Sequence, residues 1–452
     1  MVRISSTPDR GKVLLATGHI KSGVIVLEEE PCIQWSRSQP LQLIQAYLDA
    51  SKSDQDRVME MAKPGADQGL SHLDVAAQDI ERTRRAERDD LARSFSTELS
   101  EVLNSRLSAS EIASLLLIAD INSHCIGIEG DQAGLFSTAS KAEHSCNPNC
   151  GHGMVGDNMR YFSVREIKAG ESISISYIED MYNTPRAARR EILLHQKRFW
   201  CLCERCLGLD ECGDLQCRLC KKGLLTPLQP STSSTTSATS TILQTQASNG
   251  SDLIIECRTC GSQIPLQEME TRWDEESVFI AQVPDSDATE MSTATSPGGL
   301  FCLASCIRDR LSPIHHTGVS VLSELPVLFP TAKECAEAAM NCLSLLECSA
   351  VGCVSMSCPR DRLTSHPPCP LLSTRAIQAY GYLFKHDEDL ARTVARRYAP
   401  WVKLQFGDRS WPAAAFQAAV VPAPAQRPPR VPRPFNIDNM TLYRRVVTVT
   451  MS

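Results

Sequence analysis

Cysteine spacing constrains this chain more than any other feature. A C-x-C-x-x-C run places Cys201, Cys203 and Cys206 together, and C-x-x-C pairs follow at Cys217/Cys220 and Cys257/Cys260. The chain has 20 cysteines. In an oxidising compartment such a number would point to disulfides. The opening stretch, MVRISSTPDRGK, has no apolar core segment and is not expected to be a signal peptide. A reducing compartment is therefore expected, and clustered cysteines there read as metal ligands. Paired C-x-x-C motifs of a zinc ribbon bracket about 15–20 residues. Here the interval is 36 residues, but 24 of them are the Ser/Thr-rich stretch 228–251, which leaves 12. A flexible insert of that kind adds closure entropy only slowly. Turn-like segments, CKKG (220–223) and CGSQ (260–263), follow the pairs. Cys217, Cys220, Cys257 and Cys260 are thus expected to form a four-Cys structural zinc site. The competing reading is a redox dithiol, which a lone C-x-x-C would permit. Cys302, Cys306 and the tail cysteines from Cys335 to Cys369 lack paired spacing and carry no assigned function.

The chain's 452 residues allow two or three domains. A hydrophobic content of 42% is ample for a buried core, and a net charge of -7 argues against a general nucleic-acid binder. No run of apolar residues is long enough to span a membrane.

Residues 13–33 read as two short strands with Lys21-Ser22-Gly23 turning between them, Gly23 supplying the positive φ. Pro31 ends the second strand or places it at an edge. Residues 40–110 are polar and mostly helical in pattern. Ser108-Ala109-Ser110-Glu111 fits a capping box, and Ile112, Leu115, Leu116 and Ala119 then follow at helical spacing. The mixed charges from Glu81 to Arg93 read as a solvated helix face. SISISYI (172–178) alternates as a half-buried strand should, and Arg186 to Arg198 is a basic helix leading into the cysteines. The 228–251 stretch lacks the apolar content to fold and is expected to be a disordered loop. Beyond about residue 285 the periodicity weakens, and residues 420–435, rich in Pro, Ala and Arg, read as an extended linker.

Five segments, in order, resemble a SET domain of the SMYD-like branch. They are RGKVLLATGHIKSGVIVLEEEP (10–31), ADINSHCI (119–126), HSCNPN (144–149), GESISISY (170–177) and CLCERC (201–206). The resemblance covers roughly residues 10–35 and 108–265. It implies an α+β chain whose β-rich SET domain has a threaded-loop core, with a helical insertion, a Cys-rich zinc-binding post-SET region and a poorly defined C-terminal region. The corresponding spans are 1–35 and 119–198 for the two parts of the SET domain, 36–118 for the insertion, 199–265 for the post-SET region and 266–452 for the remainder.

The resemblance also implies S-adenosylmethionine-dependent methylation of lysine in a protein substrate, histone or non-histone, with no nucleic acid or membrane as partner and with residence in nucleus and cytoplasm. It makes Tyr177 the catalytic candidate. The cofactor-binding candidates are Lys12, Asn122, Ser140, Glu143, His144, Tyr177 and Phe199. Zinc in structural sites takes four ligands, and the resemblance supplies Cys146 as the fourth beside Cys201, Cys203 and Cys206. Two structural zinc ions are therefore expected. The sequence departs from the family at Glu143, where the family has an Asn that both donates and accepts and an ionised Glu only accepts. Val13 stands in the Gly-rich opening, and no cysteines occur between residues 35 and 110, where the MYND zinc finger would lie. Glu143 and Val13 favour an alternative, a non-catalytic SET scaffold that binds proteins.

Overall fold

The computed structural model describes residues 1–420 except for the longer stretches 228–253, 279–295 and 351–367 and short gaps at 8–10, 40, 64–69, 74, 103–105, 127–130, 179, 209, 211, 222, 258, 266–267, 269–270, 273, 277, 313 and 329–333. The expected loop at 228–251 and most of the expected linker at 420–435 lie outside the described residues.

The N-terminal half is built of small sheets. Strands β1 (Val2–Thr7) and β2 (Gly11–Ala16) form an antiparallel pair. Strands β3 (Ile25–Glu29), β8 (Cys150–Val155) and β9 (Asn158–Ser163) form a sheet in the order β3-β9-β8. Strands β4 (Ile33–Ser36), β5 (His124–Ile126) and β6 (Gln132–Leu135) form another in the order β4-β6-β5. The turn between β2 and β3 places Gly23 at φ +79°, and Pro31 falls between β3 and β4, where no ladder hydrogen bond is required of it.

The segment between β4 and β5 is helical: α1 (Leu41–Asp49), α2 (Lys52–Met59), α3 (Val75–Val102) and α4 (Ala109–Asn122). The expected capping box is present at Ser108 and Glu111, and Ile112, Leu115 and Ala119 are buried. The charged stretch of α3 keeps the solvated face its composition predicts at residues 82–84, 86–88, 90 and 93, but its other side is buried and paired. Glu81 and Arg85 are buried and paired at 2.9 Å, Glu81 also meets His195 Nδ1 at 3.2 Å, and Asp89 pairs with Arg198 at 2.7 Å. The pattern hid this because the partners lie far away in sequence. Buried charges are retained when they are paired, so the ion pairs dock α3 onto helix α5 (Arg186–Lys197).

Two stretches distant in sequence meet in parallel. Strand β7 (Glu143–His144) pairs with β10 (Ser174–Ile175), and Ser172 bridges to Leu15 of β2. The expected strand over 172–178 alternates in burial from 172 to 176 and then breaks at Tyr177, and only two of its residues form a ladder. Asn149 fixes the crossing. Its Nδ2 donates to Ser172 O (2.7 Å) and Glu171 Oε1 (3.0 Å), its Oδ1 accepts from Ser174 N (2.9 Å), and its own N donates to Ser174 Oγ (3.1 Å). A fully satisfied buried amide of this kind specifies one register.

After α5 come a short helix α6 (Glu204–Leu207) and a ribbon whose strands are β11 (Leu215–Gln216), β12 (Leu224–Pro227), β13 (Ile254–Cys257) and β14 (Gln263–Pro265), antiparallel throughout.

The C-terminal region is not the poorly defined one that the sequence suggests. Helices α7 (Pro297–Arg310), α8 (His316–Leu328), α9 (Glu334–Ala350), α10 (Ser373–His386), α11 (Glu388–Phe406) and α12 (Trp411–Val420) pack into one core with the post-SET cysteines. Two physical reasons explain the weak signal. Every residue from 338 to 348 on α9 is buried, and a helix buried on all sides has no apolar stripe. Pro326 and Pro400 lie inside α8 and α11, where a sequence reading ends a helix. Helix α11 lies on β8 and β9: Arg160 donates to Leu404 O (3.3 Å), and a Cβ at Gly153 would stand 2.2 Å from Gln405 O.

Candidate active site and zinc centres

The crossing of β7 and β10 gathers the aromatic candidates. Tyr177 N donates to His144 Nδ1 at 3.0 Å. The His144 ring lies 5.2 Å from Tyr177 and 5.8 Å from Phe199, and those two rings are 6.3 Å apart, edge to face. Tyr177 donates its hydroxyl hydrogen to Ala142 O at 2.6 Å. Burial, then the charge of Glu143, pushes the Tyr177 phenol above its usual range, so it stays protonated. Burial pushes His144 down to about 4, so its imidazole is neutral. The accepting role of Nδ1 toward Tyr177 N leaves the proton on Nε2, which sits 3.2 Å from Cys146 Sγ.

The remaining candidates are less uniformly placed. Asn122, at the end of α4, spends both amide hydrogens on Ala62 O (2.9 Å) and Ile118 O (2.8 Å), which leaves Oδ1 as the atom able to accept from a ligand. Ser140 sits in a 3-10 turn (Ala139–Lys141); its Oγ donates to Ser137 O (3.2 Å) and accepts from Lys141 Nζ (3.1 Å). Glu143 N is held by Ile173 O at 3.0 Å. Lys12 is paired with Glu60 at 3.0 Å, both partners exposed. Burial, then the charge of Lys12, lowers the pKa of Lys141, whose Nζ meets Ser140, so these three residues lie near one another. Val13 on β2 is buried (1% exposed).

Three groups at the site were not legible in the sequence. The Glu29 carboxylate accepts from Ser137 Oγ (3.1 Å), Thr138 N (2.8 Å) and Ala139 N (2.7 Å), and so caps the 3-10 turn that carries Ser140. Tyr161 donates to Ala139 O at 3.0 Å from the other side. Lys197 places Nζ 5.8 Å above the Tyr177 ring and donates to Ile121 O (2.8 Å), with its pKa lowered by burial. The EEEP segment was the one available hint for Glu29.

Both expected four-Cys sets are brought together. Zinc–sulfur bonds of about 2.3 Å in a tetrahedron put sulfurs about 3.8 Å apart. Cys146 Sγ lies 3.9 Å from Cys201 and 3.5 Å from Cys206, and Cys146 N donates to Cys203 Sγ at 3.3 Å. Cys217–Cys260 and Cys220–Cys257 are 3.9 and 3.7 Å apart. Within each set all four sulfurs lie within 4.8 Å of one another, a fit to zinc rather than to a redox pair. In the second set the residue after each C-x-x-C has a positive φ, Lys221 at 52° and Gly261 at 71°, so the two knuckles match.

A SET-domain family model matches residues 11–178. Mouse histone-lysine N-methyltransferase SMYD3 is 39% identical over 82 residues, 18% of this chain and 19% of that protein. A putative SET domain-containing protein of Acanthamoeba polyphaga mimivirus is 35% identical over 79 residues, 18% of this chain and 30% of that one. A SET and MYND domain-containing protein of Dictyostelium discoideum is 37% identical over 87 residues, 19% of this chain and 21% of that one. Among solved structures, the SET domain of LSMT bound to lysine and AdoHcy aligns at 13% identity and a TM-score of 0.31 over 92% of this chain and 86% of that one; at that score the likeness supports nothing by itself. The matched stretches thus span between a fifth and a third of the curated relatives. Residues 11–178 match a SET domain, and short stretches of the chain are similar to SMYD3 and to a SET and MYND domain-containing protein.

Proposed function

We propose that this protein transfers a methyl group from S-adenosylmethionine to the ε-amine of a lysine in a protein substrate, histone or non-histone. The observation that carries the reading is the β7–β10 crossing, where His144, Tyr177 and Phe199 meet and Cys146 joins the crossing to the post-SET cysteines.

The residues suit the cofactor by their chemistry. Glu143 offers a carboxylate for an ammonium, and the aromatic faces of Tyr177 and Phe199 suit a sulfonium. When bound, S-adenosylmethionine supplies an electrophilic methyl. Methyl transfer to an amine asks the protein for position and a neutral nucleophile rather than covalent help. The buried, protonated Tyr177 phenol can hold an amine in line. Lys197 supports the second requirement: an amine beside the Tyr177 ring already has its pKa lowered by burial, and a desolvated channel disfavours the charged form of a substrate lysine in the same way. The four-Cys set containing Cys146 would hold zinc and fix Phe199 over the crossing.

The acidic net charge supports protein rather than nucleic acid as partner. No helix among the described residues is long and apolar enough to cross a membrane. The reading places the protein in nucleus and cytoplasm, where thiolates remain reduced for zinc.

A second reading, the non-catalytic scaffold, is favoured by Glu143 at the family's Asn position and by the Lys12–Glu60 pair. Incubation with methyl-labelled S-adenosylmethionine and histone and non-histone proteins separates the two. Label on lysine, lost in Tyr177→Phe, is the expected result. No label from zinc-loaded, folded protein on any substrate, with none gained in Glu143→Asn, would favour the scaffold.

A further inference from the structure

A third cluster of metal-ligating side chains lies outside both four-Cys sets, at the seam between the post-SET ribbon and the C-terminal helices. Glu276 Oε1 stands 2.9 Å from His316 Nε2 and 3.6 Å from His315 Nε2. The two imidazole rings are tilted by 33° with centroids 4.6 Å apart. One donor atom from each of the three residues lies within 4.8 Å of the others. Zinc bonds of about 2.0–2.2 Å to nitrogen and oxygen put tetrahedral ligands about 3.4 Å apart, which the two Glu276 distances bracket.

The second observation is His315 itself. It is fully buried, and neither ring nitrogen completes a hydrogen bond, although the Gly213 backbone is a polar neighbour. A buried imidazole whose nitrogens lack well-formed hydrogen bonds costs free energy that a ligand would recover. A neutral imidazole is the form that binds metal.

We propose that Glu276, His315 and His316 bind a third zinc ion, with water as the fourth ligand, and that this ion pins the start of α8 to the segment that carries Glu276. Two imidazoles and a carboxylate are a donor set that zinc takes with one position open. The backbone shows what the ion would join. His316 N donates to Cys212 O (2.9 Å) and Gln216 N to Leu311 O (2.7 Å), while Arg272 donates to Gln216 O (2.9 Å) and Arg310 O (3.2 Å). The site stands independently of methyl transfer.

Elemental analysis of the zinc-replete full chain tests it. Three equivalents are expected, falling to two in Glu276→Gln and in His316→Gln, with the thermal midpoint lowered in both. Two equivalents in the unaltered chain, or a third that both variants retain, would overturn the assignment. Should the variants fail to fold, cobalt substitution of the unaltered chain gives the answer. A third equivalent without thiolate charge-transfer absorption is expected. Saturation at two thiolate-bound equivalents would contradict the site.

Discussion

The two four-Cys sets share a chemistry and differ in how they are assembled. The ribbon set draws all its ligands from two knuckles joined by a small antiparallel sheet, and its Cys260 is exposed. The other set takes Cys201, Cys203 and Cys206 from one short run but Cys146 from beside the β7–β10 crossing, and both sets border the core shared with the C-terminal helices. A metal in the ribbon would hold its two knuckles together. A metal in the first set ties the post-SET segment to the place where Tyr177 and His144 meet. The same ion should therefore support structure at one site and the proposed activity at the other.

The sharpest way to break this contrast is to remove one ligand from each set. Cys146→Ser should lose one zinc equivalent and weaken S-adenosylmethionine binding by at least about a hundredfold, about 2.7 kcal/mol. Cys260→Ser should lose one equivalent and leave that binding within about threefold. Zinc analysis beside calorimetry measures both, and equal losses of binding would erase the contrast.

Tyr177→Phe sharpens the comparison from within the crossing. Both cysteine sets should keep their zinc, while methyl transfer falls roughly a hundredfold or more. The lost hydrogen bond to Ala142 O should cost about 1 kcal/mol of stability. Single-turnover rates and denaturant unfolding read the two effects separately.

Gly153→Ala should disturb neither zinc site. The added Cβ meets the Gln405 carbonyl, a backbone atom that cannot swing aside, so docking of α11 on β8 should weaken by about 1–3 kcal/mol. Hydrogen exchange along α11 would record it, and unchanged protection there would refute the packing.

The smallest effect concerns pH. His124 on β5 lies 6.4 Å from His152 and 6.0 Å from Phe136, and burial, then the charge of His152, pushes its pKa from 6.5 down to about 3. Above pH 6.5 folded and unfolded chains both carry it neutral. Below 6.5 the unfolded chain takes up a proton that the folded chain refuses, so stability is lost as pH falls, down to about 3. Between pH 7 and 5.5 the loss from this group should be about 1 kcal/mol. Denaturant midpoints across that window should fall less in His124→Gln than in the unaltered chain.

The sequence made part of this legible. Cys146, His144 and Tyr177 stood in ordered motifs, and the knuckle cysteines in paired spacing, because each motif packs its meaning into a few adjacent residues. Glu29, Lys141 and Lys197 were not legible, since each acts on a turn or ring reached only through the fold. The same holds for Glu81 and Arg85, whose buried pairing needs His195 from a distant helix. The C-terminal helices escaped notice because α9 is buried on all sides and two helices carry internal prolines. Glu276, His315 and His316 carry no recognisable spacing at all.

Calorimetric titration of S-adenosylmethionine into the zinc-loaded full chain tests the central claim most directly. Saturable one-to-one binding, lost in Cys146→Ser and kept in Cys260→Ser, is the predicted result. Absence of binding with the chain folded and both cysteine sets filled would contradict it.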